Sequence, residues 1–232
     1  DHSTQIVEPE YVLDLAHALI STFGVLANFA DDMRHLQRTE LSEVGEAFAP
    51  GQVGSSTMPH KRNPWNFEHV KSMWKAFMPR MMTVYMDQIS EHQRDLTNSA
   101  SGRFVVEIAA ALTMAVQRLI RITRKLAVDE QQMRENLNRS AHLIAAEPLY
   151  ILLAAHGHPD AHEAVRRLTL AAEKTGQSLL DLAQADQELV PYLAKFTPEQ
   201  REVIANPTAY TGQAAAKCLA VCTIWSQKIT QI

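Results

Sequence analysis

The sequence predicts an all-α fold, a long up-and-down helical bundle followed by a small α-helical C-terminal domain. Three features carry that expectation. Apolar residues recur at helical spacing over three very long stretches, no alternating strand pattern competes with them, and the helical elements shorten after Asp129.

The first stretch, residues 10–37, places Val12, Leu15, Leu19, Leu26, Phe29, Met33 and Leu36 at intervals of three, four and seven. A helix of that length far exceeds the usual globular helix of about 11–12 residues. Pro9 stands where a first-turn proline is tolerated. Gly45, Pro50, Gly51 and Gly54 then break the pattern. A second helix is expected from Trp65 to about Ile89, through Phe67, Val70, Met73, Trp74, Phe77, Met81 and Tyr85, with a kink at Pro79. The third runs from about Ser99 to Lys125 through Phe104, Ile108, Leu112, Ala115, Leu119 and Ile122, with Thr97, Asn98 and Ser99 as cap candidates. Shorter helices are expected over 129–138, 142–156, 160–175, 177–186, 198–205 and 212–230, punctuated by glycines and prolines. The division is therefore a bundle domain over 1–135, carrying a loop at 46–64, and a small helical domain over 136–232.

Composition narrows the class of function. A net charge of −4 and 46% apolar residues describe a globular chain and point to neither a nucleic-acid partner nor an acidic membrane. There is no run of about 18 uncharged apolar residues and no visible signal peptide. Cys218 and Cys222, four apart on one helical face, are expected as two buried thiols in a reducing cytosol. His156, His158 and His162 are expected as surface histidines at a helix junction, because nothing nearby completes a zinc set. The chain begins at Asp1 without a methionine, as a processed product or an excerpt of a longer protein would.

The stretch with the most chemistry is Gly54 to Pro64, G-S-S-T-M-P-H-K-R-N-P. Gly54 brings backbone freedom, whereas Pro59 and Pro64 stiffen the second half. The segment has the make-up of a loop that closes over substrate and carries catalytic groups. A serine becomes a base only with positive charge and desolvation beside it, and Lys61 stands six residues after Ser55. Glu68 falls in the first turns of the following helix, where the helix dipole favours a carboxylate. A second constellation, Glu91 to Arg103, combines Arg94, Ser99 and Arg103 around a helix start, a pattern suited to phosphate.

G-S-S-x-M-P-x-K-x-N-P resembles the signature of the fumarase/aspartase superfamily, and the R-x-x-x-x-S-x-x-x-R arrangement of Arg94, Ser99 and Arg103 resembles its adenylosuccinate lyase family. The resemblance runs from about Thr4 to the C-terminal helix and covers the later half of such an enzyme. It implies a lyase that eliminates fumarate from adenylosuccinate, giving AMP, and from the succinylated carboxamide ribotide of purine biosynthesis. It implies Ser55 as general base, with Lys61 and Asn63 holding the dicarboxylate and stabilising its aci-carboxylate intermediate. Met58 and the backbone around Ser56 would complete the anion pocket, and Glu68 would orient a catalytic histidine. Arg94, Ser99 and Arg103 would bind the nucleotide phosphate, and Gln5, in S-T-Q-I-V-E-P, would contact the succinyl group. Arg38 and Glu40 also fit the family pattern. The acid histidine of the family is expected from an N-terminal half that no segment here resembles. The resemblance further implies no metal or organic cofactor, a cytoplasmic homotetramer with each active site built from three chains, and a small phosphorylated substrate as partner. Two alternatives stand beside it: another fumarate-producing lyase or a cycloisomerase of the superfamily, and a non-catalytic helical scaffold derived from one.

Overall fold

A computed structural model describes residues 7–48, 58, 61–90, 95–206, 208 and 210–231. Among the described residues the fold is all-α apart from one short antiparallel strand pair. The described residues fall into two compact units, divided between Met133 and Arg134.

In the first unit, α1 spans Glu10–Leu36, α2 Trp65–Phe77, α3 Arg80–Met86 and α4 Phe104–Thr123. The expected helix from Trp65 onward is two helices, because Pro79 begins α3 and lacks the N–H that would continue the ladder. A 3-10 turn over Ser101–Arg103 leads into α4. None of Thr97, Asn98 and Ser99 caps that helix: Asn98 donates its side-chain amide to the Asp87 carbonyl, and Thr97 bonds Asp95. His17 on α1 bonds Tyr85 on α3, and Lys71 on α2 reaches Asp31 near the end of α1. Arg80 at the start of α3 pairs with Glu107 at the start of α4, and Arg118 near the end of α4 meets Asn66 at the start of α2. The three long elements therefore alternate in direction, as an up-and-down bundle does.

The bundle core holds Phe23, Phe67, Val70, Ala111, Leu112, Ala115 and Leu119, continued by Ala16, Ile20, Met81, Val84 and Ile108. On α1 the buried stripe is Ala16, Ile20, Phe23, Ala27 and Ala30, rotated from the expected one; Val12 and Leu15 are half exposed. Three alanines and two larger residues, Ile20 and Phe23, make up this stripe. By length and a mean hydropathy of 1.5, α1 also satisfies the test for a membrane span. Strand β1, Val44–Glu46, pairs with β2, Leu126–Val128, Val44 lying opposite Val128.

Helix α5 covers Glu130–Ile144 and spans the division between the units. The second unit is built from α6 (Ala146–Ala155), α7 (Ala161–Thr175), α8 (Leu179–Ala185), α9 (Val190–Leu193), α10 (Pro198–Ala205) and α11 (Ala214–Thr230). Leu149, Leu153, Val165, Leu168, Leu179, Leu189, Phe196 and Ile204 form its core. Asp160, Ser178 and Thr197 cap α7, α8 and α10 with their side chains, and Gly176 ends α7 at φ +71°.

Two expectations fail here. Cys218 and Cys222 are exposed, since α11 buries none of its residues. His158 is a core residue rather than a surface one: its ring lies against Tyr192, and its Nδ1 accepts the Asp160 N–H. His156 binds Gln200, and His162 packs edge-on to Tyr150.

Candidate active site

The C-terminal stem of the Gly54–Pro64 segment meets the end of α1 and the start of α2. Met58, Lys61, Asn63 and Glu68 line one cleft of about 920 Å³ together with Arg34, Arg38 and Glu40. Lys61 is turned back on Met58 by a backbone hydrogen bond of 3.0 Å. Arg34, Arg38, Lys61 and Arg62 stand at this cleft against the carboxylates of Glu40 and Glu68, so positive charge is in excess. Arg34 is shared with Asp31, which it contacts at 2.8 Å, while Lys71 contacts the other oxygen of Asp31 at 2.7 Å. Those two cations, Lys71 foremost, hold the Asp31 carboxyl down from 3.8 to about 2. An open cleft with surplus cations suits an anionic ligand, and a dicarboxylate fits that charge balance.

Ser55, Ser56, Gln5 and Arg94 lie outside the described residues. Ser99 and Arg103 are exposed near the start of α4 and do not line the cleft. Arg118, beside the start of α2, lies fifteen residues farther along α4 than Arg103, about 22 Å of helix. One chain thus keeps Ser99 and Arg103 apart from Lys61 and Asn63.

Sequence reading missed a buried polar cluster behind the cleft. Helix α2 starts after Pro64 with no side-chain cap of its own. Its first N–H groups are taken instead by Glu46 of β1, whose Oε1 accepts from the Asn66 N–H at 2.9 Å and the Phe67 N–H at 3.1 Å. Oε2 of the same carboxylate accepts from the Asn66 side-chain amide, and Asn66 Oδ1 accepts from Arg118 at 2.7 Å. Gln37 closes the ring: its Oε1 accepts from the Glu46 N–H and its Nε2 donates to the Arg62 carbonyl. Only one trace of this was open to inspection. Trp65 opens a helix with no Ser, Thr, Asp or Asn at its cap, so a distant acceptor had to serve.

Two family models match the chain. The family model described as "Adenylosuccinate lyase C-terminal" matches residues 90–200, and the one described as "Lyase" matches residues 1–78. Adenylosuccinate lyase of Pyrococcus abyssi is 33% identical over 221 residues, covering 90% of this chain and 49% of that protein. The enzyme of the same name from Methanothermobacter thermautotrophicus is 35% identical over 216 residues, covering 91% and 47%. Among solved structures, 3-carboxy-cis,cis-muconate lactonizing enzyme from Pseudomonas putida superposes with a TM-score of 0.71 at 28% identity, covering 87% of this chain and 45% of that one. The beta-carboxy-cis,cis-muconate cycloisomerase of Acinetobacter calcoaceticus is similar in fold, with a TM-score of 0.77 at 24% identity over 96% and 48%. The chain spans about half the length of the curated relatives it matches.

Proposed function

The chain belongs to the fumarase/aspartase superfamily of lyases, and from that premise we propose that it forms the catalytic-loop and C-terminal part of an adenylosuccinate lyase. The reaction is elimination of fumarate from adenylosuccinate, leaving AMP, and from the succinylated carboxamide ribotide. Convergence of Met58, Lys61, Asn63 and Glu68 on one cation-rich cleft carries this reading.

The proposed chemistry separates proton removal from nitrogen departure. Ser55, as an alkoxide favoured by nearby positive charge, takes the proton from the carbon beside the reacting carboxylate. Charge then moves onto the oxygens of that carboxylate, where Lys61 and Asn63 stabilise it, and Met58 with Ser56 bounds the pocket. Cleavage of the carbon–nitrogen bond follows, the leaving nitrogen taking a proton from an acid. In this reading that acid, the histidine that Glu68 would orient, is supplied by the N-terminal half of such an enzyme. Gln5 contacts the succinyl group, and Arg94, Ser99 and Arg103 receive the phosphate. The separation of Ser99 and Arg103 from the cleft supports a site shared between copies, and the family resemblance makes that assembly a homotetramer. We assign the enzyme to the cytoplasm, with no metal or organic cofactor in its mechanism.

The test is fumarate release from adenylosuccinate, measured with this chain alone and with the remaining half of the enzyme supplied. Release that needs the second component supports the divided site. In that preparation Ser55→Ala lowers turnover by about a thousandfold while substrate binding persists; unchanged turnover would exclude Ser55 as the base. A second reading, a cycloisomerase, is favoured by the 28% identity to the lactonizing enzyme. Fumarate release itself separates them, because a cycloisomerisation rearranges one molecule within itself and frees no fumarate.

A further inference from the structure

The proposed chemistry leaves the buried cluster around Glu46 without a role. Glu46 is 7% exposed, and every partner named for its carboxylate is an N–H donor. The orientation of Asn66 follows from its neighbours: a guanidinium only donates, so Oδ1 faces Arg118 and Nδ2 faces the carboxylate. Burying a carboxylate costs desolvation that an apolar side chain of the same size would avoid. What the carboxylate supplies, and an apolar group cannot, is direction. Glu46 stands immediately before the segment 47–65 and Asn66 immediately after it. Their hydrogen bonds close the two ends of that segment, and Gln37 pins the Arg62 carbonyl between Lys61 and Asn63. Gly45 belongs to the same fit, since a Cβ there would come within 2.9 Å of Gln37 Cγ.

The geometry points to Glu46 as a positioning residue that holds Lys61, Asn63 and Glu68 in register on the cleft by capping α2 from β1. The inference rests on reading the cleft as the dicarboxylate site, but the latch itself is measurable without turnover. Glu46→Gln preserves volume and can keep both backbone hydrogen bonds, yet it sets one amide against the Asn66 amide, donor to donor. Adding Asn66→Asp reverses the polarity: the new amide donates to the new carboxylate, which also receives Arg118.

Hydrogen exchange of the 232-residue chain reads the outcome at residues 61–70 against residues 104–123. Glu46→Gln accelerates exchange about tenfold or more in the first segment and leaves the second unchanged, and the double variant returns it to within about twofold of the parent. Unaltered exchange at 61–70, equal acceleration in both segments, or no recovery in the double variant would each overturn the assignment. Wherever the parent releases fumarate, Glu46→Gln lowers kcat by about tenfold to a hundredfold with a smaller change in KM, and the double variant recovers it. A parent that releases none under any condition counts against the lyase reading, and exchange then decides Glu46 alone.

Discussion

Asp31 contacts Arg34, which lines the candidate cleft, and binds α1 to α2 through Lys71. Its carboxyl is lowered to about 2, chiefly by the hydrogen bond from Lys71 and then by that from Arg34. A carboxylate depressed in the folded state stabilises fully above its ordinary value of 3.8, and that stabilisation disappears as pH falls toward about 2. Asp31→Asn removes the effect. The urea midpoints of the parent and the variant are therefore expected to diverge above about pH 4 and to converge near pH 2. A constant offset across that range would place the tether elsewhere. Individual residues such as Lys61, Asn63 and Glu68 were legible because they sit in a contiguous motif. Glu46, Asn66 and Arg118 were not, because their bonds join positions 20 and 52 residues apart, and sequence spacing holds no record of such contacts.

At the scale of elements, α2 carries the site and depends on two supports, the carboxylate at its start and the apolar side chain beside it. Phe67 is fully buried, meets Phe29 edge-on at 6.4 Å and gives its N–H to Glu46. Phe67→Ala is expected to cost about 3–5 kcal/mol in urea unfolding, the range for emptying an aromatic site in a packed core. A cost below about 1 kcal/mol would show that the helix end collapses onto the space. Helices α1 and α4 were legible as elements because an apolar period of three and four needs only local sequence. The break at Pro79 and the strand pair were less so. A proline announces a kink but not whether the helix resumes, and three-residue strands are too short to alternate visibly.

At the scale of the whole molecule, the long helices are apolar beyond what one chain covers. Tyr11, Val25, Val106, Met114 and Ile120 are all exposed by 46–71%. Such surface is what association would bury, and the homotetramer proposed above is the expected association. Sedimentation of the chain is expected to show a concentration-dependent oligomer, and Val25→Glu with Met114→Glu is expected to shift it to smaller species with helix content retained. A monomer at all concentrations would remove this support for a shared site. Which stripe of α1 faces inward was not readable from periodicity, because a helix apolar on nearly every side offers two stripes of similar strength. Packing chose the one with alanines, where helices can approach most closely.

The sequence by itself determined the all-α class, the extent of α1 and the motif at Gly54–Pro64, since each depends on residues within a few turns of one another. It also held the resemblance through which superfamily membership could be recognised. Only the tertiary structure decided that Met58, Lys61, Asn63 and Glu68 share a cleft, that Ser99 and Arg103 stand apart from it within one chain, and that a buried carboxylate from a strand begins α2. Those are consequences of chain segments meeting across the bundle, where hydrogen-bond direction and packed volume, rather than local propensity, select the partners.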